Sequence, residues 1–131
     1  LGQMSPYGKL VESQVRLRAA LQKGDRRKAN SVLNFIRRNS DESPTLLLDA
    51  LMHAGLVAEA ADMVGYLLES NDRRADILDW LQQYRMSDPL PGDREYIRNI
   101  DILRERDDVR AAVDKVGRIE RHGIYGAYGF E

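Results

Sequence analysis

The chain has 131 residues, 43% hydrophobic and 31% charged, so it can bury a core and is too apolar for a disordered segment. The lack of cysteine excludes a disulfide scaffold and a thiolate metal site, and it suits a reducing compartment, so we expect a cytoplasmic protein. The net charge is −1 and no stretch approaches the roughly 20 apolar residues that cross a bilayer, which argues against a uniformly basic chain and against a membrane protein.

Apolar residues recur at helical spacing along most of the chain, and no segment reads as a credible strand. The predicted helices span residues 9–23, 26–39, 44–54, 56–70, 73–85, 94–106 and 109–122. Residues 1–8 are then an N-terminal arm, and residues 123–131 a glycine- and tyrosine-rich tail. We therefore predict one all-α domain of about seven helices over residues 1–131.

The first two helices are predicted to form a hairpin. The first has one apolar stripe at helical spacing, made of Leu10, Val11, Val15, Leu17 and Leu21. Gly24 should end this helix, because glycine takes the left-handed C-cap conformation without steric cost. Asp25 should cap the second helix, and so short a gap requires antiparallel neighbours.

The third and fourth helices carry the same signals. Ser43 and Pro44 are predicted to open the third helix, with proline in the first turn, where its missing N–H costs nothing. This helix is apolar on most sides, so we expect it to be the most buried element. Gly55 should end it and lead directly into the fourth helix.

These two predicted hairpins match each other at an offset of 31 residues. The matching pairs include Leu17 with Leu48, Ala19 with Ala50, Gly24 with Gly55, and Ala29 with Ala60. The glycine makes the turn, and the small alanine lets the two helices of a hairpin approach closely. The repeat predicts stacked antiparallel helical hairpins.

The clearest copy is the stretch LLDALMHAGLVAEAADMVGYLLE, residues 47–69. Its pattern L-x-x-A-L-x-x-x-G-x-x-x-E-A resembles the tetratricopeptide and pentatricopeptide class of helical repeats. The resemblance implies a right-handed superhelix whose groove binds a helix or peptide of another protein, as in an adaptor, a scaffold or a small chaperone. A death-fold signalling adaptor is an alternative, since residues 45–68 could also form two of its helices.

Charge is segregated along the chain. Residues 1–40 hold nine basic and two acidic residues, a net +7, whereas residues 41–72 hold seven acidic residues and no Lys or Arg, a net −7. Arg26, Arg27 and Lys28 form the densest cationic cluster. They are candidate contacts for an acidic partner or, as an alternative function, for nucleic acid phosphates, unless they face the acidic segment or water.

Five aromatic residues are further candidates for partner binding. They are Trp80 and Tyr84, one helical turn apart, and Tyr125, Tyr128 and Phe130 in the tail. Tyr and Trp anchor many interfaces because they bury large areas at low entropic cost. Core packing of Trp80, and capping of the last hairpin by the tail, are the competing interpretations.

Nothing in the sequence predicts catalysis or a cofactor. There is no nucleophile motif, no phosphate-binding loop and no dinucleotide-binding motif. His53 and His122 have no further His or Cys at ligand spacing, so no metal site is expected. We therefore predict a non-enzymatic protein without cofactors.

Overall fold

The computed structural model describes residues 5–82 and 93–124, with side chains in the last helix as far as Val116. The helices are α1 (Pro6–Lys23), α2 (Arg26–Arg38), α3 (Pro44–Ala54), α4 (Val57–Leu68), α5 (Arg74–Leu81), α6 (Arg94–Glu105) and α7 (Asp107–Ile124). A short 3₁₀ turn, Ser40–Glu42, precedes α3. Within these ranges the chain forms no strand, so the prediction of an all-α fold with about seven helices is confirmed.

The first helix starts earlier than predicted. The Oγ of Ser5 accepts a hydrogen bond from the backbone N–H of Gly8 at 3.0 Å, and Pro6 occupies the first helical position. A serine N-cap followed by proline is a strong start signal, and it places α1 inside the predicted arm of residues 1–8. The arm as predicted is therefore too long.

Gly24 and Gly55 end α1 and α3 with the same backbone geometry. Their φ angles are 73° and 76°, in the left-handed region where only glycine is free of strain. The N–H of Gly24 donates to the carbonyl of Leu21 at 3.1 Å, and that of Asp25 donates to Ala20 at 2.9 Å. The equivalent bonds recur around Gly55 at 3.2 and 2.9 Å, so both predicted helix ends are confirmed.

The predicted caps of the next helices are confirmed in part. The Oδ1 of Asp25 accepts a bond from the N–H of Lys28 at 3.1 Å, as expected for an N-cap. Ser43 lies at the N-cap position of α3, but its hydroxyl forms no capping bond and instead lies 3.3 Å from the hydroxyl of Thr45. The helix begins at Pro44 nevertheless, because proline is already set for a first helical turn.

The chain divides into two compact units, residues 1–56 and 57–131. In the first unit α1 packs against α2 and α3, and α2 also packs against α3. The boundary follows Leu56, so the predicted second hairpin contributes α3 to one unit and α4 to the other. The single domain and the superhelical stacking of hairpins stay predictions.

Apolar side chains on one side of each helix form the core of the first unit. The buried residues are Leu10, Leu17 and Ala20 from α1, Ala29, Leu33 and Ile36 from α2, and Leu47, Leu48, Ala50, Leu51 and Met52 from α3. The eleven-residue α3 buries five side chains, and this agrees with its predicted apolar character.

In the second unit α4 packs against α5, α6 and α7, and α6 packs against α7. Two arginines bind the carbonyls that the ends of helices leave unpaired. The Nε of Arg74 donates to the carbonyl of Leu68, the last residue of α4, at 2.9 Å. The Nε of Arg104 donates to the carbonyl of Leu81, the last residue of α5, and so ties α6 to α5.

The last helix continues past its predicted end. Gly123 was expected to stop it, yet α7 includes Gly123 and ends at Ile124. A glycine at a helix end is a preference and no absolute stop, because its intrinsic cost inside a helix is only about 1 kcal/mol. The predicted tail is therefore two residues too long at its start.

Candidate protein-interaction surface

The predicted site residues fall into three groups: exposed, buried, and outside the described residues. Arg26, Arg27 and Lys28 are all exposed in the first turn of α2. Trp80 is only 2% exposed, so its assignment to partner binding is wrong and it is a core residue of the second unit. The remaining candidates lie outside the described residues; they are Tyr84, Tyr125, Tyr128 and Phe130.

Arg26, Arg27 and Lys28 are named here the cationic turn. The first turn of α2 contains no acidic residue, so three positive charges stand at the helix end where the backbone dipole is itself positive. No hydrogen bond or ion pair of these side chains is found within residues 5–82 and 93–116. A placement that opposes the helix dipole does not stabilise α2, and it leaves three cations open to an anionic partner.

A second feature of the first unit was not predicted. Tyr7, Val11 and Val15 follow one another at intervals of four residues along α1 and are 54%, 40% and 62% exposed. Residues four apart lie on the same face of a helix, so the three side chains form a continuous apolar strip about 12 Å long. We call this strip the α1 stripe.

The α1 stripe corrects the predicted core of the first helix. Leu10 and Leu17 are buried, but Val11 and Val15, assigned to the same stripe, are exposed. At about 100° per residue, Val11 lies roughly 100° from Leu10 and Val15 roughly 160° from Leu17. The angles could have separated the two faces from the sequence alone. Tyr7 was missed because it lay in the predicted arm.

The α1 stripe leads to the cationic turn. Ala19, one turn beyond Val15, is exposed, and so is Lys23, one turn further. Gly24 then reverses the chain, and the cationic turn opens α2 immediately after it. An apolar strip with positive charge at one end fits the apolar face and acidic end of an amphipathic helix.

In the described part of the second unit, one aromatic side chain is largely exposed. Tyr66 on α4 is 76% exposed, and the acidic residues Glu59, Asp62 and Glu69 share its exposed face. Spacings of three and four residues place Glu59, Asp62 and Tyr66 on one side of α4, and Glu69 directly follows the last residue of the helix. We call this surface the α4 acidic face.

A further ion pair joins the end of α6 to the start of α7. The Nε and Nη2 of Arg106 bind the two carboxylate oxygens of Asp108 at 3.0 and 3.2 Å. The side-chain hydrogen bond from Arg106 holds the pKa of Asp108 below its usual range, and the same bond raises the pKa of Arg106. The side chains of Arg106 and Asp108 are 37% and 53% exposed, so this pair is a solvent-screened contact at the α6–α7 junction.

Neither a metal-binding cluster nor a bilayer-spanning helix is found in the described part of the chain. Among its side chains no group of three or more His, Asp or Glu residues is arranged to hold a metal ion. His53 is half-buried in the last turn of α3 and has an interaction within the chain. No helix in the described ranges is both long and apolar enough to cross a bilayer.

Comparisons of the chain with protein-family models, with curated proteins and with solved structures found no match. The resemblance to tetratricopeptide and pentatricopeptide repeats, and the death-fold alternative, therefore stay predictions.

Proposed function

We propose that this protein is a non-enzymatic interaction module, an adaptor, scaffold or small chaperone, which binds a helix or peptide of another protein along α1. The observation that carries the proposal is the α1 stripe, Tyr7, Val11 and Val15, exposed on a helix whose other side is buried. Contiguous exposed apolar side chains on a helix mark a surface that another molecule can cover.

The energetics favour an amphipathic partner. Full burial of a valine side chain is worth on the order of 1.5–3 kcal/mol, and both valines of the stripe expose a large part of that surface. The cationic turn adds attraction for an acidic segment and sets the direction in which the partner lies. Such a partner would present apolar residues at helical spacing and carboxylates towards one end.

A decisive test compares the full chain with a stripe variant, Val11→Gln with Val15→Gln, in quantitative capture of proteins from a host lysate. Glutamine keeps the charge and suits a helix, so the variant removes only apolar surface. We expect at least one protein to be lost with the variant, and its purified form to bind the variant at least about tenfold more weakly. Equal capture by both proteins would rule the proposal out.

The matched control is Ile102→Gln, which removes a side chain that is 45% exposed on α6, outside the α1 stripe. This variant should capture the same protein as the unchanged chain, in the same yield. A parallel loss with the control would mean that general surface hydrophobicity, and no specific α1 surface, drives the capture.

Nucleic acid is a second candidate partner, favoured by the exposure of the cationic turn. Binding to phosphates weakens steeply with rising salt, with a slope that counts the contacts. Binding through the α1 stripe should respond much less, because burial of apolar surface is not screened. Titration of single-stranded and duplex nucleic acid at two salt concentrations separates the two functions.

A further inference from the structure

The α4 acidic face carries carboxylates that attract the cationic turn and one exposed aromatic side chain that can pack on the α1 stripe. From Glu59 to Glu69 its acids cover eleven residues, about 15 Å, with Tyr66 between Asp62 and Glu69. The opposite side of α4 is buried through Ala60, Ala61, Val64, Leu67 and Leu68. Tyr66 is therefore an exposed aromatic residue on a firmly packed helix, a typical anchor of protein interfaces.

The two surfaces complement each other in length and in charge. From Tyr7 to Ala19 the exposed side of α1 runs twelve residues, about 18 Å, close to the length of the α4 acidic face. The cationic turn carries three positive charges, and the α4 acidic face carries three negative ones. The α4 acidic face supplies carboxylates and an aromatic side chain, whereas α1 supplies aliphatic side chains and leads to the cationic turn.

We infer that the α1 stripe and cationic turn of one copy of this chain dock the α4 acidic face of a second copy, with Tyr66 against the stripe. The inference rests on the proposed function in using the α1 stripe as a docking surface. Every copy carries both surfaces, and a net charge of −1 leaves little long-range repulsion between copies.

The contact joins two different surfaces, so it is used twice in a closed two-fold dimer or once per copy in a longer series. A single pair of helices buries less than the roughly 1,200–2,000 Å² of a stable complex, so association should be weak and concentration-dependent. Because the charges are exposed, association should weaken in about 1 M salt, where the screening length is about 3 Å.

Sedimentation equilibrium of the full chain tests the inference with two charge-reversed variants. One carries Arg26→Glu, Arg27→Glu and Lys28→Glu, and the other carries Asp62→Lys and Glu69→Lys. We expect the unchanged chain to associate at low salt and each variant to stay monomeric at the same concentration. An equimolar mixture of the two variants should associate again, because the reversed surfaces then complement each other.

A matched control carries Asp76→Lys and Asp79→Lys, the same charge change placed on exposed acids of α5. It should associate like the unchanged chain, and circular dichroism should find all variants equally helical. A monomeric unchanged chain at low salt would overturn the inference. So would undiminished association of the Asp62→Lys, Glu69→Lys variant, or failure of the folded mixture to associate.

The experiments distinguish a failure of the proposed function from a failure of the inferred self-association. If the unchanged chain is monomeric but loses a captured host protein on Val11→Gln with Val15→Gln, the second copy is ruled out and the proposed function stands. If the chain associates and that stripe variant does not, the inference stands whatever the lysate yields. Vesicles of anionic lipid serve as a third arm: recovery of the chain on vesicles, with no association in solution, would assign the α1 stripe to a membrane surface and overturn the inference.

Discussion

At the scale of single residues, two glycines are expected to respond in opposite ways to the same substitution. Gly24 has a φ of 73°, where an alanine is strained by roughly 1–2 kcal/mol although its Cβ would meet no atom. Gly65 lies inside α4, also with open space around a Cβ, so alanine there should add about 1 kcal/mol of helix stability. Urea denaturation should find Gly24→Ala less stable and Gly65→Ala more stable than the unchanged chain.

Each glycine variant serves as the control for the other, since both add one methyl group to an uncrowded position. A loss of stability in Gly65→Ala would mean that α4 is constrained in a way its geometry does not reveal. An unchanged stability in Gly24→Ala would contradict the left-handed cap.

The sequence predicts residue roles well where the cause is local. Gly24, Gly55 and Asp25 act through their own backbone and their nearest neighbours, and all three have the predicted roles. The side a residue faces is also local, so the misassignment of Val11 came from counting apolar residues without resolving their angles. The burial of Trp80 depends on how α5 packs in the folded chain, and spacing alone left core and interface both open.

At the scale of helices, the positive charges in the first turn of α2 should lower the stability of that helix. Replacing Arg26 and Arg27 with glutamate removes cations from the positive end of the helix dipole and puts carboxylates there. The stability of the first unit should rise by roughly 0.3–1 kcal/mol per substitution at low salt, and less at high salt. Denaturation curves at two ionic strengths measure both effects.

Lys23→Glu is the control for these substitutions, because it reverses a charge at the opposite end of a helix dipole. Lys23 lies in the last turn of α1, where a cation is favourable, so its reversal should lower stability. If both reversals changed stability in the same direction, net charge and not the helix dipole would be responsible. A gain of stability at Arg26 and Arg27 together with a loss of binding would identify the cationic turn as a surface kept for its partner.

The α6–α7 junction should have a defined pH response. The hydrogen bond from Arg106 lowers the pKa of Asp108 in the folded chain, so its stabilising effect is present above the usual carboxyl pKa and is lost as pH falls through the lowered value. An NMR titration of the Asp108 carboxyl carbon should therefore find a pKa below the usual range. Arg106→Gln should move it back up.

Arg110→Gln is a suitable comparison, since it removes an exposed cation one turn away without touching the Arg106–Asp108 pair. It should change the titration of Asp108 far less than Arg106→Gln does. Equal shifts in the two variants would assign the effect to general positive charge instead of the hydrogen bond.

Helix positions were more predictable than helix ends. The seven helices of residues 5–82 and 93–124 lie where apolar periodicity placed them, because that signal is summed over several turns. The ends of a helix depend on one or two residues. Ser followed by Pro opens both α1, at Ser5, and α3, at Ser43, but only the second of these starts was predicted. At Gly123 a glycine that was expected to end the helix does not, since α7 continues to Ile124.

At the scale of the whole molecule, periodicity identified most of the buried residues, although it grouped the exposed Val11 and Val15 with them. It did not identify which helices those residues meet. The packing of α4 against α6 and α7 joins segments separated by many residues, and no local pattern encodes those pairings. The candidate surface, too, was predictable only in part. The cationic turn could be found from three adjacent charges, whereas the α1 stripe required knowing which side of α1 the core covers.

The bond from Arg104 to the carbonyl of Leu81 has a consequence for how this protein could be divided. This bond attaches α6 to the end of α5, and α6 and α7 both pack on α4, so contacts among the described residues join the helices on either side of residues 83–92. Two separately encoded fragments, divided within residues 83–92, should reassemble when co-expressed and copurify with the helicity of the intact chain. Arg104→Met should weaken that reassembly, while fragments that never copurify would show that covalent continuity is required.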